Sequence, residues 1–177
     1  MKMASKMHQL FPILCLAMVM LGLFASPTEA KFKGINPFCR TSDFRRVCNV
    51  MVAGATNLHD ATKNALQSAH RAGTVLQKTL PEIEQGLEGV DASTKDDTVS
   101  TCKDTFDAVV DNVKQALQYF EANDIASVNT YLSAATSVTD CQDAFKEVGA
   151  DFPPNVAKLT KNVDMQISNC LAVTQQK

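Results

Sequence analysis

Two apolar stripes at helical spacing flank a short polar break at residues 121–124. Successive members of each stripe are mostly three or four residues apart, which places each stripe on one face of an α-helix. A break this short requires the second helix to return antiparallel to the first. The pattern therefore predicts a helical hairpin with arms over residues 99–120 and 125–148. The first stripe comprises Val99, Cys102, Phe106, Val109, Val113, Ala116 and Phe120, and the second comprises Ile125, Val128, Tyr131, Ala135, Val138, Cys141, Phe145 and Val148.

A third apolar stripe precedes the hairpin and a fourth follows it. The third predicts one helix over residues 58–90, with a kink at Pro81 because the apolar phase continues across the proline. Residues 91–97 are polar and predict a connection that ends this helix and caps the next. The fourth helix starts at the proline pair 153–154, since proline suits a first helical turn. Four amphipathic helices with short links predict an all-α fold, an up-down-up-down four-helix bundle over residues 58–175.

Residues 31–57 form an extension that precedes the bundle and carries no long apolar stripe. Turn and N-cap signals lie at Asn36–Pro37 and in the following Thr-Ser-Asp segment. The extension therefore predicts short helical pieces. A disulfide between Cys39 and Cys48 can hold such pieces, which cannot bury much of their own surface.

The first 30 residues predict a secretory signal peptide. A basic start precedes an apolar run at residues 10–24, and Thr28 and Ala30 fit the positions before a signal-peptidase cut. The alternative is a membrane anchor, but the run is short for a span and lacks a basic stop-transfer flank. Cleavage would leave 147 residues, 31–177, which suits a single domain.

Charge narrows the possible partners of the mature chain. Removing Lys2, Lys6 and Glu29 leaves 15 basic and 18 acidic residues, a net charge of −3. This balance argues against nucleic acid or an anionic membrane surface as a partner. A protein partner is compatible with it, and the sequence favours a monomer or a weak dimer with no membrane contact after signal cleavage.

Five cysteines remain after signal cleavage, and secretion favours disulfides. Folding the hairpin about its polar break brings Cys102 and Cys141 to one level, which predicts a disulfide between them; the alternative is two unbonded core cysteines. Cys39 and Cys48 are close in sequence and most simply pair with each other. Cys170 is then a spare thiol on an apolar stripe. The alternative for Cys170 is an intermolecular disulfide.

The sequence carries no pattern that predicts catalysis. Its two mature histidines, His59 and His70, belong to neither an HExxH pattern nor a Glu-x-x-His pattern. A Gly-rich phosphate loop and a Gly-x-Ser-x-Gly elbow are also missing. We therefore predict no catalytic residue, no metal ligand and no cofactor, and a protein that is not an enzyme.

Four sequence features occur in a fixed order along the mature chain. They are two cysteines with eight residues between them, a cysteine followed one turn later by an aromatic residue, an aromatic-Leu-Ser-Ala-Ala segment, and a Cys-x-Asp-x-Phe segment. Together they resemble the plant invertase and pectin methylesterase inhibitor family, over essentially the whole mature chain. Here the features are Cys39 and Cys48, Cys102 and Phe106, Tyr131–Ala135, and Cys141–Phe145.

The resemblance implies a four-helix bundle with an N-terminal helical hairpin and two disulfides in the order given above. It also implies a secreted protein of the cell wall or vacuole, of which we favour the apoplast and cell wall, and inhibition of a carbohydrate-active enzyme by binding. Pectin methylesterase inhibitors of the family lay bundle helices across the pectin-binding cleft. Invertase inhibitors of the family use a Pro-Lys-Phe segment near the start of the last helix.

This chain departs from the family pattern at three places. First, residues 145–156 contain no Pro-Lys-Phe, and Phe152–Pro154 resembles it only loosely. Second, Thr136 replaces a usual apolar residue after the Ser-Ala-Ala segment. Third, the stretch between Cys48 and the first long helix is shorter than usual, so the extension can dock differently. The first departure favours pectin methylesterase as the target. The alternatives are an acid invertase inhibitor and a secreted bundle that binds a ligand without inhibiting an enzyme.

Inhibition without catalytic groups requires a surface that fills an enzyme cleft. In a bundle that surface is the outward face of adjacent helices, opposite the apolar stripe. On the predicted hairpin the candidate target-binding residues are Asp111, Lys114, Gln118, Asn129 and Thr130.

Overall fold

The computed structural model of the protein describes residues 34–176, and every regular element in this range is helical. The predicted signal peptide at residues 1–30 lies outside the described residues. Four helical layers pack antiparallel in sequence order, which confirms the predicted all-α, four-helix fold class. The α-helices of the described range are α1 (Arg45–Val52), α2 (Leu58–Gln77), α3 (Leu80–Gly86), α4 (Ala92–Glu121), α5 (Ile125–Ala134), α6 (Asp140–Glu147) and α7 (Pro154–Thr174), and 3₁₀ turns occupy Pro37–Cys39 and Ala135–Thr139.

The four layers form a closed square. Helix α2 packs against both α4 and α7, and α4 also packs against α5 and α6. Helix α5 in turn contacts α7, so that each layer has two neighbours. The short helix α1 packs on α2 and α7 at one end of the bundle.

The core lies where the inward stripes meet. Phe106 of α4, Phe145 of α6 and Ile167 of α7 are fully buried. Burying one such side chain contributes roughly 1.5–3 kcal/mol to the stability of the fold. A single helix could not bury these side chains, so this stabilisation requires that the helices pack together. Helices α2 and α4 approach closely at Gly73, where a Cβ atom would lie 3.0 Å from Cγ2 of Val110.

The polar residues 91–97 cap α4, as predicted, but they also contain its first turns. Asp91 is the N-cap, and its carboxylate accepts a 3.0 Å hydrogen bond from the backbone N–H of Thr94. The first N–H groups of a helix need such an acceptor. Hydrogen bonds from Thr94 also lower the pKa of Asp91. The predicted start of this helix near residue 99 was wrong, because a capped helix can begin in a segment that carries no apolar stripe.

The long helix predicted over residues 58–90 is two helices. Helix α2 ends at Gln77, and α3 begins three residues later with Pro81 in its first turn. Proline inside a continuous helix would remove the hydrogen bond to the carbonyl of Gln77, whereas a first turn needs no such bond. Thr79 donates a 2.7 Å hydrogen bond from its hydroxyl to the carbonyl of Leu76, at the end of α2. The predicted kink is therefore a complete break.

The second arm of the hairpin, predicted as one helix over residues 125–148, is interrupted by the 3₁₀ turn Ala135–Thr139. The hydroxyl of Thr136 donates a 2.7 Å hydrogen bond to the carbonyl of Ser133, and Ser137 makes a longer bond of the same kind. Hydroxyl groups that bond to nearby carbonyls compete with the α-helical pattern. Short 3₁₀ stretches are the usual result at such joins.

Residues 34–176 contain two disulfides. Cys102 of α4 is bonded to Cys141 of α6, with Cα atoms 4.4 Å apart. Cys39 is bonded to Cys48 across the extension, with Cα atoms 5.7 Å apart. Cys170 of α7 is fully buried and free. Burial raises the pKa of its thiol, which therefore stays protonated at any physiological pH.

The extension docks on the end of the bundle where α2 begins and α7 ends. The side chain of Asn169, buried in α7, accepts a hydrogen bond from the hydroxyl of Ser42 and donates one of 3.3 Å to the carbonyl of Phe44. Asn64 of α2 donates a 3.2 Å hydrogen bond to the carbonyl of Val52, the last residue of α1. These bonds satisfy the buried amide and tie the extension to both helices.

Candidate functional site

The turn between α4 and α5 holds the two arms of the hairpin in a defined relation. Asn123 adopts a left-handed backbone, with φ of 59°, and Asp124 caps α5. The carboxylate of Asp124 accepts hydrogen bonds from the N–H of Ser127 at 3.0 Å and from its hydroxyl at 2.6 Å. These bonds lower the pKa of Asp124. Helices α4 and α5 pack against each other beyond this turn, so their outer surfaces are adjacent.

Three of the five predicted contact residues lie on that outer surface. Asp111 and Gln118 of α4 and Thr130 of α5 are exposed. The same surface carries Tyr119 and Tyr131 in the seam between the two helices. We call the surface formed by these five residues the hairpin face.

The other two predicted contact residues lie on the flanks of the hairpin. Lys114 is exposed, but helical spacing places it on the side of α4 that carries Val110, which meets α2 at Gly73. Asn129 is half-buried, and its Oδ1 accepts a 2.6 Å hydrogen bond from the hydroxyl of Thr174 in α7. The prediction that Asn129 points outward was wrong, because Asn129 lies on the side of α5 that faces α7.

The tyrosines of the hairpin face are a feature that the sequence reading missed. The rings of Tyr119 and Tyr131 stack with centroids 5.2 Å apart and planes 17° apart, and both side chains are half-buried. Periodicity assigned Tyr131 to the core stripe and left Tyr119 without a role. A helical side chain points toward the N-terminus of its own helix, so these two point toward each other in an antiparallel pair. The sequence could have revealed the pair through this side-chain direction, applied to the chain's only two tyrosines.

Polar contacts join α4 to α2 on the flank of the hairpin. The carboxylate of Asp107 accepts hydrogen bonds from Lys103 at 2.7 Å and from Gln77 of α2 at 2.8 Å. Glu121 forms a 2.7 Å ion pair with Lys63 of α2. The Lys103 contact lowers the pKa of Asp107, and the Lys63 contact lowers that of Glu121. The charged side chains are well exposed, so these ion pairs add little to the stability of the fold and mainly fix the positions of the side chains on this flank.

The segment before α7 lies at the other end of the bundle and is packed inward. Phe152 is half-buried and meets Phe145 edge to face, with ring centroids 5.1 Å apart. Pro153 lies against Gly86 of α3, where an added Cβ atom would come within 2.8 Å of Cγ of the proline. The glycine therefore leaves the space that the proline occupies.

The histidines lie outside the hairpin face. His59 is exposed and its ring lies 4.8 Å from that of Phe120, whereas His70 is half-buried. Within residues 34–176, no group of three or more His, Cys, Asp or Glu side chains is placed to hold a metal ion. None of the helices in this range combines the length and the apolar character needed to cross a membrane.

The fold defines a small disulfide-bonded helical bundle, and the hairpin face is an outer surface of two of its helices. Residues 33–173 match the family described as plant invertase/pectin methylesterase inhibitor, and the chain belongs to this family. No curated protein sequence matches the chain at a significant level.

Two solved structures share the fold. A crystal structure of mutant form A of a pectin methylesterase inhibitor from Arabidopsis aligns with a TM-score of 0.65 at 21% identity, over 79% of this chain and 94% of that one. A pectin methylesterase inhibitor from Arabidopsis thaliana aligns with a TM-score of 0.59 at 23% identity, over 74% of this chain and 84% of that one. At these identities the likeness establishes the fold alone.

Proposed function

We propose that the protein is a secreted inhibitor of pectin methylesterase that binds over the substrate cleft of the enzyme. Membership of the inhibitor family supports the inhibitory role. In this proposal residues 1–30 are removed as a signal peptide, and residues 31–177 act in the cell wall as one inhibitor domain. Residues 31–57 form its extension and residues 58–175 its bundle.

One observation favours pectin methylesterase over invertase as the target. The family resemblance implies that an invertase inhibitor presents Pro-Lys-Phe near the start of its last helix, and this chain has Phe152–Pro154 there. Phe152 packs on Phe145 and Pro153 packs on Gly86, so the segment is held against the bundle. The segment also lacks the lysine of the Pro-Lys-Phe pattern. The contact is therefore assigned to the hairpin face.

The hairpin face suits a cleft because of its length and its rigidity. Helix α4 has 30 residues and is roughly 45 Å long. With α5 beside it, the helix forms a ridge that can cover about 800 Å² of a partner, as in an interface of ordinary size. Asp111, Gln118 and Thr130 contact the enzyme directly, while Lys114 lies at the flank and Asn129 supports α5 from the α7 side. Inhibition then follows from exclusion of the substrate, with no chemical step.

An inhibition assay against both enzyme classes tests the proposal. Purified mature protein at micromolar concentration is incubated with a panel of plant pectin methylesterases and acid invertases at mildly acidic pH. We expect loss of demethylesterification and unchanged sucrose hydrolysis. Inhibition of the invertases alone would establish the alternative target. Inhibition of neither class would favour a non-inhibitory bundle.

A further inference from the structure

The charges of the mature chain are divided unequally between the extension and the bundle. Residues 31–57 carry five basic side chains and one acidic side chain, a net charge of +4, whereas residues 58–177 carry ten basic and seventeen acidic ones, a net charge of −7. We infer that the extension and the last turns of α7 form a second binding site, which takes a uronate of an acidic polysaccharide with its carboxylate on Arg40. None of the residues of this site belongs to the hairpin face, so the inference goes beyond the proposed function.

Three of the chain's four arginines lie in the eight-residue loop that the disulfide of the extension closes. Arg40, Arg45 and Arg46 are exposed, and within residues 34–176 none of them forms an ion pair. Asp43 is the one acidic residue of the loop. The disulfide keeps the loop compact, so the positive charges are concentrated on one part of the extension. Exposed arginines without an acidic neighbour to pair with are available to an anionic partner.

A groove of about 620 Å³ lies between the start of this loop and the end of α7. Arg40 and Thr41 line it from the extension, and Ser168 and Gln175 line it from the side of α7. Its volume is in the range of small-ligand sites. The lining combines one positive charge with hydroxyl and amide groups. A sugar acid requires this combination, because its carboxylate needs a cation and its hydroxyls need hydrogen-bond partners.

Hydrogen bonds hold the two sides of the groove together. The side-chain amide of Gln176 donates to the carbonyl of Phe38, and the hydroxyl of Thr41 donates a 3.4 Å hydrogen bond to the carbonyl of Ala172. These bonds join the 3₁₀ turn of the extension to the last turns of α7. Because both sides of the groove are already in place, little conformational freedom remains to be lost when a ligand binds.

Negative groups on the α7 side of the groove decide how the sugar acid lies. The negative pole of α7 is at this end, and Asp164 lies one turn before Ser168 on the same side of the helix. A carboxylate is therefore disfavoured on that side and is held toward Arg40, whose guanidinium can bind it with two parallel hydrogen bonds. The hydroxyls of the sugar can donate to Ser168 and Gln175. A simple inorganic anion would gain nothing from this half of the groove, so the geometry favours a sugar acid.

The charges outside the groove extend the argument from one uronate to a polymer. The negative bundle repels a polyanion, whereas the extension attracts it, so the polymer is directed to the extension. Arg45 and Arg46 lie in the same loop as Arg40 and can neutralise further carboxylates of a polyuronate chain. The choice of polymer, unlike the site itself, rests on the proposed function: demethylesterification of pectin creates such carboxylates, so the product of the enzyme would retain its inhibitor.

Binding of polygalacturonate to the mature protein, measured by calorimetry without any enzyme, tests the site. Arg40→Gln should weaken binding by at least about fivefold, and the triple change of Arg40, Arg45 and Arg46 to Gln by at least about tenfold, with unchanged melting temperatures. Arg71→Gln is the matched control, because Arg71 is exposed on α2 outside the loop, and it should bind as wild type does. Equal affinity of wild type and the triple variant, or an equal loss in Arg71→Gln, would overturn the inference.

Two further probes separate a polyuronate from other ligands. The methyl-esterified polymer lacks the carboxylates and should bind at least about tenfold more weakly than polygalacturonate, so equal binding of the two would overturn the inference. Anionic phospholipid vesicles test the alternative of a membrane surface, because Ile35 and Val50 are exposed apolar residues of the extension. Binding to the vesicles but not to polygalacturonate would establish that alternative. A protein that binds polygalacturonate through Arg40 but inhibits no pectin methylesterase would uphold this site and contradict the proposed function.

Discussion

Asn129 of α5 accepts a 2.6 Å hydrogen bond from the hydroxyl of Thr174 in the last turn of α7. The bond joins the second arm of the hairpin to the helix that carries the extension. An amide that periodicity would leave in solvent is therefore part of the packing between two layers. Because of this contact, substitutions at Asn129 and at its sequence neighbour Thr130 should differ in their effect on stability.

Asn129→Ala should lower the melting temperature by about 3–5 °C, because a lost hydrogen bond of this kind costs about 1 kcal/mol. Thr130→Ala, at the exposed neighbouring position, should stay within about 1 °C of wild type. Thermal melting followed by circular dichroism measures both. Equal melting temperatures for the two variants would show that the Asn129 contact carries no stability.

Asp111→Arg should weaken inhibition by about three- to tenfold at an unchanged melting temperature. Asp111 is exposed at the edge of the hairpin face, where a reversed charge acts mainly on the rate of association. Stopped-flow association at two salt concentrations, together with a melting curve, measures both effects. Asp96→Arg, near the start of α4, is the control and should leave association unchanged. An Asp111→Arg variant that associates as fast as wild type would contradict the placement.

Gly86→Ala should destabilise the fold by about 1–3 kcal/mol. A Cβ atom at Gly86 would lie 2.8 Å from Cγ of Pro153 and 3.2 Å from Cε1 of Phe145, so the segment before α7 would have to move. Gln85→Ala, at the adjacent exposed position of α3, should cost less than about 0.5 kcal/mol. Urea denaturation compares the two variants. Similar unfolding free energies for the two variants would mean that the segment before α7 moves aside without loss of stability.

Cys170 should resist alkylation in the native protein. Its thiol is fully buried, and burial raises its pKa, so almost no thiolate is available to react. Iodoacetamide should label it only after denaturation, while non-reducing peptide mapping should recover the Cys39–Cys48 and Cys102–Cys141 bridges. Labelling of the folded protein within minutes, or any bridge to Cys170, would be incompatible with this arrangement.

Asp107→Asn should make the melting temperature less sensitive to acid. The pKa of Asp107 is lowered by Lys103, so its contribution is present above the carboxyl pKa of the unfolded chain and is lost as the pH falls through the lower folded value. Wild type should therefore lose more stability than the variant between about pH 5 and pH 2. Asp96→Asn serves as the control. Parallel pH profiles for wild type and Asp107→Asn would count against the Asp107 contacts.

Most of the secondary structure could be predicted because each helix carries its own apolar stripe. The stripes through Phe106 and Phe145 are read directly from spacings of three and four residues, and both side chains are fully buried. The hairpin turn likewise followed from the shortness of the break between the stripes. The breaks at Thr79 and at Ala135–Thr139 could not be read this way, since the apolar phase continues across both of them.

The sequence by itself determined which face of each helix is inward, because that face depends only on the local period of apolar residues. Only the tertiary structure decided what lies beside the other faces. Asn129 and Thr130 are neighbours in sequence, yet one bonds to α7 and the other is exposed, because the position of α7 depends on how all four layers pack. The stacking of Tyr119 on Tyr131 is decided in the same way, by the direction and distance of two helices whose sequences are separate.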